Sequence, residues 1–324
     1  MYHKKQTISE LKEGATVEDV FVVKIKKSIT SYAKGFSFTL LLTDNSGKTI
    51  EYKYWGGQKE EEVRKIYDTI KSDFVVLIKG KVGAYSGKTQ ITTNPPDTIQ
   101  VIEEGQYDPA DFVKPWKKDP DQMLAELEQY IKITEDPKMK ELLLKIINKP
   151  GFRERFKTHP GAIQIHHSWI GGLLEHTLQV LAYCRLSWEL FPELDKSLLI
   201  AGAILHDIGK LDEIEVTSRI KGTVQGQLIG HTILGTLILH DHIKDTDLDQ
   251  ITKTKLLHLI VSHLGKAEYG AGKPPMFAEA VVLNYADELS AKAAAILEDV
   301  ADMRTETEDD FMYHKRENKN VYLK

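Results

Sequence analysis

The sequence predicts a two-part molecule, β first and all-α after. Three observations predict it. Residues 14–102 run in β-branched, alternating segments broken by turn residues; an acidic, proline-containing stretch follows; and beyond Pro120 the apolar residues recur at helical spacing. The chain has 324 residues, 41% hydrophobic and 28% charged, enough for two domains of ordinary size.

In the β part, "ATVEDVFVVKIKKSITSY" supplies a β-branched run that ends in polar turn material. "GFSFTLLLTDNSGKTIEYKYW" supplies two strands joined by "DNSG", and "DFVVLIKGKVGAYSGKTQITT" a further pair with "SGK" at its tip. Between the pairs, Val63, Ile66, Tyr67 and Ile70 mark one helical face. Three strands, a helix, then two strands is the order of a five-stranded OB-fold barrel. Parity then assigns the faces. Phe36, Phe38, Leu40, Leu42, Ile50, Tyr52 and Tyr54 point inward, while Ser37, Thr39, Leu41, Glu51, Lys53 and Trp55 point outward. OB barrels bind single strands on this outer face. Trp55 with Lys53 is the leading stacking pair, beside Thr39. Tyr32 and Lys34 in the first loop and Tyr85 and Lys88 at the second tip are further candidates, and a tryptophan packed on a neighbouring segment is the structural alternative.

The boundaries expected are an OB domain over 1–105, a linker over 106–120, a helical domain over 121–302 and a polar tail over 303–324. "DPDQMLAELEQYIKIT" and "DPKMKELLLKIINKPG" both open with an Asp-Pro helix start. Further helices centre on 170–190, 196–209, 229–243, 249–264 and 277–299, with a short hairpin around 214–227. No apolar run approaches the ~20 residues of a membrane span, and the start lacks the apolar core of a secretory signal. The single cysteine, Cys184, excludes an intrachain disulfide and thiolate clusters, and points to a reducing, cytoplasmic setting. Residues 1–105 hold 16 Lys/Arg against 14 Asp/Glu, and the remainder 27 against 34, so charge alone announces no nucleic-acid surface.

The helical part carries its chemistry in histidines and aspartates set among apolar neighbours. "GGLLEHTLQVLAYC" places His176 on an apolar face, and "SLLIAGAILHDIGK" ends a greasy run on His206 and Asp207. "LIGHTILGTLIL" carries His231, "LLHLIVSHLG" His263, and "EAVVLNYADELSAKAAAI" Asp287. A lone histidine on such a face is ordinarily a hydrogen-bonded core residue. Five helices that each carry His or Asp need a common partner, and a metal centre satisfies them together. Imidazoles and carboxylates without thiolate suit Mn²⁺, which is favoured, or Co²⁺, Fe²⁺, Ni²⁺ or Zn²⁺. One carboxylate between several histidines can bridge two ions, which together hold a hydroxide and clamp a phosphoryl oxygen. Lys210, one turn on, would meet a phosphate oxygen as a point charge, and Gly209 would admit the substrate closely.

In order, "GGLLEHT", "HDIGK", "IGH", "SHLG" and "YADELSAK" resemble the signature of the HD-domain metal-dependent phosphohydrolases. With "HHSWIGGLLEHT", "SHLGKAEYGAGKPPMFAEA" and the preceding barrel, the chain is most similar to the YhaM-type 3′–5′ exoribonucleases over roughly residues 14–295. The resemblance implies an OB domain ahead of an HD helical bundle. It implies a first metal site of His176, His206, Asp207 and Asp287, with Asp207 bridging to a second ion on His231 and His263. The family often has "SHHG" where this chain has Ser262, His263, Leu264 and Gly265, and Leu264 cannot bind metal. His258, one turn earlier, is better suited to packing or capping. His166 and His167 match a family "HH" and would meet the substrate phosphate. Lys266, Glu268, Tyr269 and Lys273, in the loop after His263, would contact the sugar–phosphate backbone, while His240 and His242 are expected to be solvated or capping. The function expected is a metal-dependent 3′–5′ exonuclease on single-stranded RNA, or single-stranded DNA, in which Asp207 and Lys210 are catalytic. The alternatives are a nucleotide or cyclic-dinucleotide phosphohydrolase with a regulatory OB domain, and a non-catalytic nucleic-acid-binding protein. No membrane partner is expected, and oligomerisation is left open.

Overall fold

The computed structural model describes residues 1–85, 87–93, 98–115, 118–164, 167–304, 307–315 and 317–324. These divide into two units, residues 1–115 with 216–220, and residues 116–215 with 221–324.

In the first unit, β1 (Thr16–Lys26), β2 (Thr30–Tyr32), β3 (Gly35–Thr43) and β4 (Thr49–Trp55) precede helix α1 (Glu60–Thr69). β5 (Val75–Tyr85), β6 (Lys88–Thr93) and β7 (Ile99–Ile102) follow it. β1, β3, β4, β6 and β5 form a closed ring, because β1 also pairs with β5. All its pairings are antiparallel except β4–β6, which is parallel. This is the barrel read from the sequence, with β2 added beside β3 and β7 beside β5. The β-branched and aromatic residues that favour a pleated strand also fill the interior: Phe38, Leu40, Leu42, Ile50, Tyr52 and Tyr54 are buried together with Val63 and Ile70 around α1. Phe36, expected to be internal, is only partly buried at the edge of this cluster. Ser37, expected to be exposed, is buried: β2 pairs across β3 at Thr30, and the Ser37 hydroxyl donates to the Thr30 carbonyl at 3.4 Å. Tyr107 and Phe112, within the stretch read as linker, are also buried, against Val20, Val22 and Val75.

The second unit opens with α2 (Pro120–Lys132) and α3 (Pro137–Ile147). Asp119 and Asp136 cap them by accepting from backbone N–H groups of the first turn, with proline just inside each start. Next come α4 (Phe152–Thr158), α5 (Gly172–Leu190), α6 (Lys196–Leu205) and α7 (Lys210–Glu213). A hairpin of β8 (Ile214–Val216) and β9 (Ile220–Gly222) follows. α8 (Val224–Ile229), α9 (His231–Ile243), α10 (Gln250–Ser262) and α11 (Ala278–Met303) complete the helices. Asp195 and Asp249 cap α6 and α10 in the same way. α5 and α6 lie at the centre: Leu173, Leu174, Leu181, Leu199, Ile200 and Leu205 are fully buried in one continuous core. Burial pushes the Cys184 thiol there up to about 12, so it is inert packing. The polar tail holds structure that its composition does not suggest, a hairpin of β10 (Phe311–His314) and β11 (Lys319–Tyr322). Among the described residues no helix is long and apolar enough to cross a membrane.

Candidate metal centre

α5 contributes His176, the end of α6 contributes His206 and Asp207, α9 begins at His231, α10 ends into His263, and α11 carries Asp287. Their side chains converge. His176 Nε2 lies 3.1 Å from Asp287 Oδ1 and 3.2 Å from His206 Nε2. The two oxygens of Asp207 face two different histidine pairs. Oδ2 is 3.5 Å from His176 Nε2 and 3.4 Å from His206 Nε2. Oδ1 is 3.7 Å from His231 Nε2 and 3.6 Å from His263 Nε2.

The four imidazoles all present Nε2 inward because each Nδ1 is engaged behind it. His206 Nδ1 donates to the Ala203 carbonyl at 2.9 Å and His263 Nδ1 to the Ile260 carbonyl at 2.7 Å. His231 Nδ1 donates to Glu213 Oε1 at 3.1 Å. His176 Nδ1 donates to Ser290 Oγ at 2.9 Å, and that hydroxyl donates in turn to Gln179 Oε1 at 2.8 Å. A neutral histidine with its proton on Nδ1 has a lone pair on Nε2, the form a metal needs. The buried Nε2 atoms of His231 and His263 have no hydrogen-bond partner among the described residues. Leaving such atoms unpaired in an apolar interior is costly. His176, His206 and Asp207 form one set of donor atoms lying within 4.8 Å of one another, and Asp207, His231 and His263 form a second. The residues therefore fit divalent ions held by nitrogen and oxygen.

The electrostatics are set by burial and by the carboxylates, and they differ from ring to ring. Burial pushes His263 down to about 4, which keeps it neutral at physiological pH. Burial alone would also lower His206, but the Asp207 carboxylate outweighs it and raises the ring. Asp207 is buried as well, yet Lys210 and His206 hold its carboxyl well below the ordinary range. Lys210 Nζ sits 2.7 Å from Asp207 Oδ2.

A cleft of about 950 Å³ opens over Asp207, Lys210, His231, His263 and Asp287. Lys266 and Tyr269, predicted to touch substrate, line it, as do Leu264 and residues not anticipated, among them Tyr285, Lys292 and the acids Glu288 and Glu317. Glu268 turns to Lys266 at 3.5 Å, and Lys273 is exposed outside the lining. His166 lies outside the described residues. His167 is not in the cleft. It is 1% exposed, its ring packs 5.1 Å from that of His176, and its Nε2 donates to Gln179 at 3.1 Å, so it sits behind His176 and not on the cleft surface where a phosphate contact was expected. Gly209 is not a substrate-approach residue either. A Cβ there would meet the His231 carbonyl oxygen at 1.9 Å, so its role is to let α9 approach. His258 accepts from the Met276 backbone N–H at 3.2 Å and packs on Phe277, which secures the far end of the loop after His263. His242 binds the Ile238 carbonyl at 2.8 Å, and His240 is exposed. Glu213, Gln179 and Ser290 are the supporting residues that sequence reasoning missed. Only the position of Glu213, six residues beyond Asp207, could have hinted at it.

On the barrel's outer face, Tyr32 packs edge-on to Trp55 with ring centroids 4.7 Å apart. Lys53 Nζ lies 5.1 Å from the Trp55 centroid and 3.2 Å from Thr39 Oγ1. Tyr85, 71% exposed, pairs in register with Lys88 at the β5–β6 tip, and Lys34 is exposed in the β2–β3 turn.

Residues 173–292 match the HD domain family. Over 280 residues the chain is 33% identical to the 3′-5′ exoribonuclease YhaM of Bacillus subtilis (strain 168), covering 86% of each. Among solved structures, the p204 HINb domain is 13% identical, over 30% of this chain and 46% of that one, with a TM-score of 0.24. A replication protein A heterotrimer bound to ssDNA is 17% identical, over 35% and 27%, with a TM-score of 0.25. Both overlaps are too slight to bear on this protein. The ordered donor set, the barrel ahead of it and the identity along most of both sequences agree: this chain belongs to the YhaM-type 3′–5′ exoribonuclease family, with an HD domain as its helical part.

Proposed function

We infer that the protein is a metal-dependent 3′–5′ exonuclease that shortens single-stranded RNA by hydrolysis of its phosphodiester bonds. The observation that carries this reading is Asp207, whose two oxygens each face a separate pair of inward-turned histidines. His176, His206, Asp207 and Asp287 would hold one divalent ion, and Asp207, His231 and His263 a second, with Mn²⁺ the favoured metal. Ions at such a site supply charge neutralisation at the phosphoryl group and activation of the water nucleophile. The chain's own residues do the rest. Lys210 offers a cation next to Asp207, while Lys266 and Lys292 offer two more along the cleft for neighbouring phosphates. Tyr269 and Tyr285, 61% and 65% exposed, offer ring faces to bases. RNA is preferred to DNA because the Bacillus subtilis relative is named an exoribonuclease. On the barrel, Tyr32, Lys34, Thr39, Lys53, Trp55, Tyr85 and Lys88 would hold the upstream strand.

Oligonucleotides of RNA and DNA labelled at either end test this directly. With Mn²⁺, 5′-labelled RNA should yield a descending ladder and 3′-labelled RNA should release labelled mononucleotide at once. A chelator or Asp207→Ala should abolish both. Oligonucleotides left intact while a nucleotide or cyclic dinucleotide is hydrolysed would overturn the reading.

A further inference from the structure

A second cavity, of about 520 Å³, adjoins the metal centre and shares Lys210 and His231 with the larger cleft. We propose that it is the subsite for the 3′-terminal nucleoside, which it holds without regard to base identity, while the rest of the strand lies in the larger cleft. The proposal rests on the exonuclease reading above and goes beyond it by dividing the substrate between two cavities.

Size and lining both point this way. The volume is that of a small-molecule site, for which roughly 300–1,000 Å³ is usual. Its walls are largely apolar, with Ile163 and Ile214 as the bulky members. Ile163 is 40% exposed, so its side chain is available as a platform for a flat ring. Gly222 keeps the space open: a Cβ there would meet Gln227 Cγ at 3.2 Å and Ile163 Cδ1 at 3.5 Å. Gln164 and Gln227 are the uncharged polar side chains of the lining, and an amide both donates and accepts, so it can meet the edge of any base. Glu213, the acid among the described lining residues, has its Oε1 engaged by His231 through both the backbone N–H, at 3.0 Å, and Nδ1.

Charge sets the direction. Among the described residues Lys210 is the cation lining this cavity, enough for one phosphate, whereas the larger cleft, though Glu288 and Glu317 also line it, adds Lys266 and Lys292, which exchange their partners Glu268 and Glu288 for the phosphates that follow. A terminal nucleotide has one phosphate and the remaining strand has many. Water attacks phosphorus, the bond from phosphorus to the upstream 3′-oxygen breaks, and that oxygen takes a proton. A nucleoside 5′-monophosphate then remains in the small cavity and a strand with a new 3′-hydroxyl in the large one.

Competition by products isolates the base. UMP, AMP and ribose 5-phosphate share the phosphate and differ in the base, so they are added to the metal-loaded full chain as it degrades RNA. Both nucleotides should inhibit about tenfold more strongly than ribose 5-phosphate, the scale of one stacked base. In Ile163→Asp and in Gly222→Ala the preference should fall to about twofold or less, as expected once the apolar wall is lost or the space is filled. Ile163 is exposed, so its variant keeps the test valid if the glycine variant does not fold. Equal inhibition by all three compounds in the wild type, or a tenfold preference that survives in the folded variants, overturns the proposal. If the wild type shortens no RNA, the exonuclease reading fails by itself. Calorimetric titration of the same three compounds then still decides whether the cavity prefers a base.

Discussion

Glu213 holds His231 at two points, the backbone N–H and the ring Nδ1, and so aims Nε2 at Asp207. Removing such a supporting carboxylate typically weakens metal binding about 10–100-fold. Glu213→Ala should show that loss in a metal titration, with the variant still folded. A second prediction concerns His159, whose Nε2 donates to the Lys210 carbonyl at 2.8 Å. Burial pushes this ring down to about 4 from an ordinary 6.5. Above pH 6.5 the ring is neutral in both states and contributes no pH dependence. Between 6.5 and 4 the unfolded chain takes up the proton and the native protein does not, so stability falls with pH at about 1.4 kcal/mol per unit. Urea unfolding at pH 6.5 and pH 5 should therefore show a loss in the wild type larger by about 2 kcal/mol than in His159→Gln, which keeps a donor without the titration.

At the scale of elements, the metal centre depends on how closely α9 meets the turn after α6. A Cβ on Gly209 would meet the His231 carbonyl oxygen at 1.9 Å and the Gly235 N at 2.5 Å, both of them rigid backbone. Gly209→Ala should therefore push the start of α9 outward and carry His231 away from Asp207. Overpacking of this kind costs about 1–3 kcal/mol. The expected result is a lower Tm together with a bound-metal content that falls toward one ion per chain, measured by elemental analysis. A variant with unchanged Tm and unchanged metal would show that α9 accommodates the methyl group. The element also shows why a motif reading misassigned this glycine. A Gly two residues after Asp207 fits a substrate-approach residue equally well until the backbone of a helix more than twenty residues on is placed against it.

Across the whole molecule, the proposed function assigns strand binding to the aromatic and basic outer patch of the barrel and chemistry to the cleft of the helical unit. Lys53→Ala with Trp55→Ala in the full chain should weaken kcat/KM on a twenty-nucleotide RNA about tenfold, the value of one stacked base with its neighbouring cation. A dinucleotide, which has no upstream strand for the barrel to hold, should be cleaved at the wild-type rate. Equal losses on both would assign the patch to folding. What the sequence by itself determined was the strand order of the barrel, the inward parity of Phe38, Leu40, Leu42, Tyr52 and Tyr54, and the six His and Asp residues whose side chains converge. Strand and helix periods are local, and a buried charge or imidazole marks itself against apolar neighbours. Only the tertiary structure decided that His176 and His231 present Nε2, that His167 packs behind His176, that Glu213, Gln179 and Ser290 back the cluster, and that a second cavity adjoins it. Those facts depend on partners as far apart as His176 and Ser290, 114 residues distant along the chain. For His206 and His263 the partner is a carbonyl three residues back, but for His176 and His231 the direction is set by where folding brings Ser290 and Glu213, which no local pattern encodes.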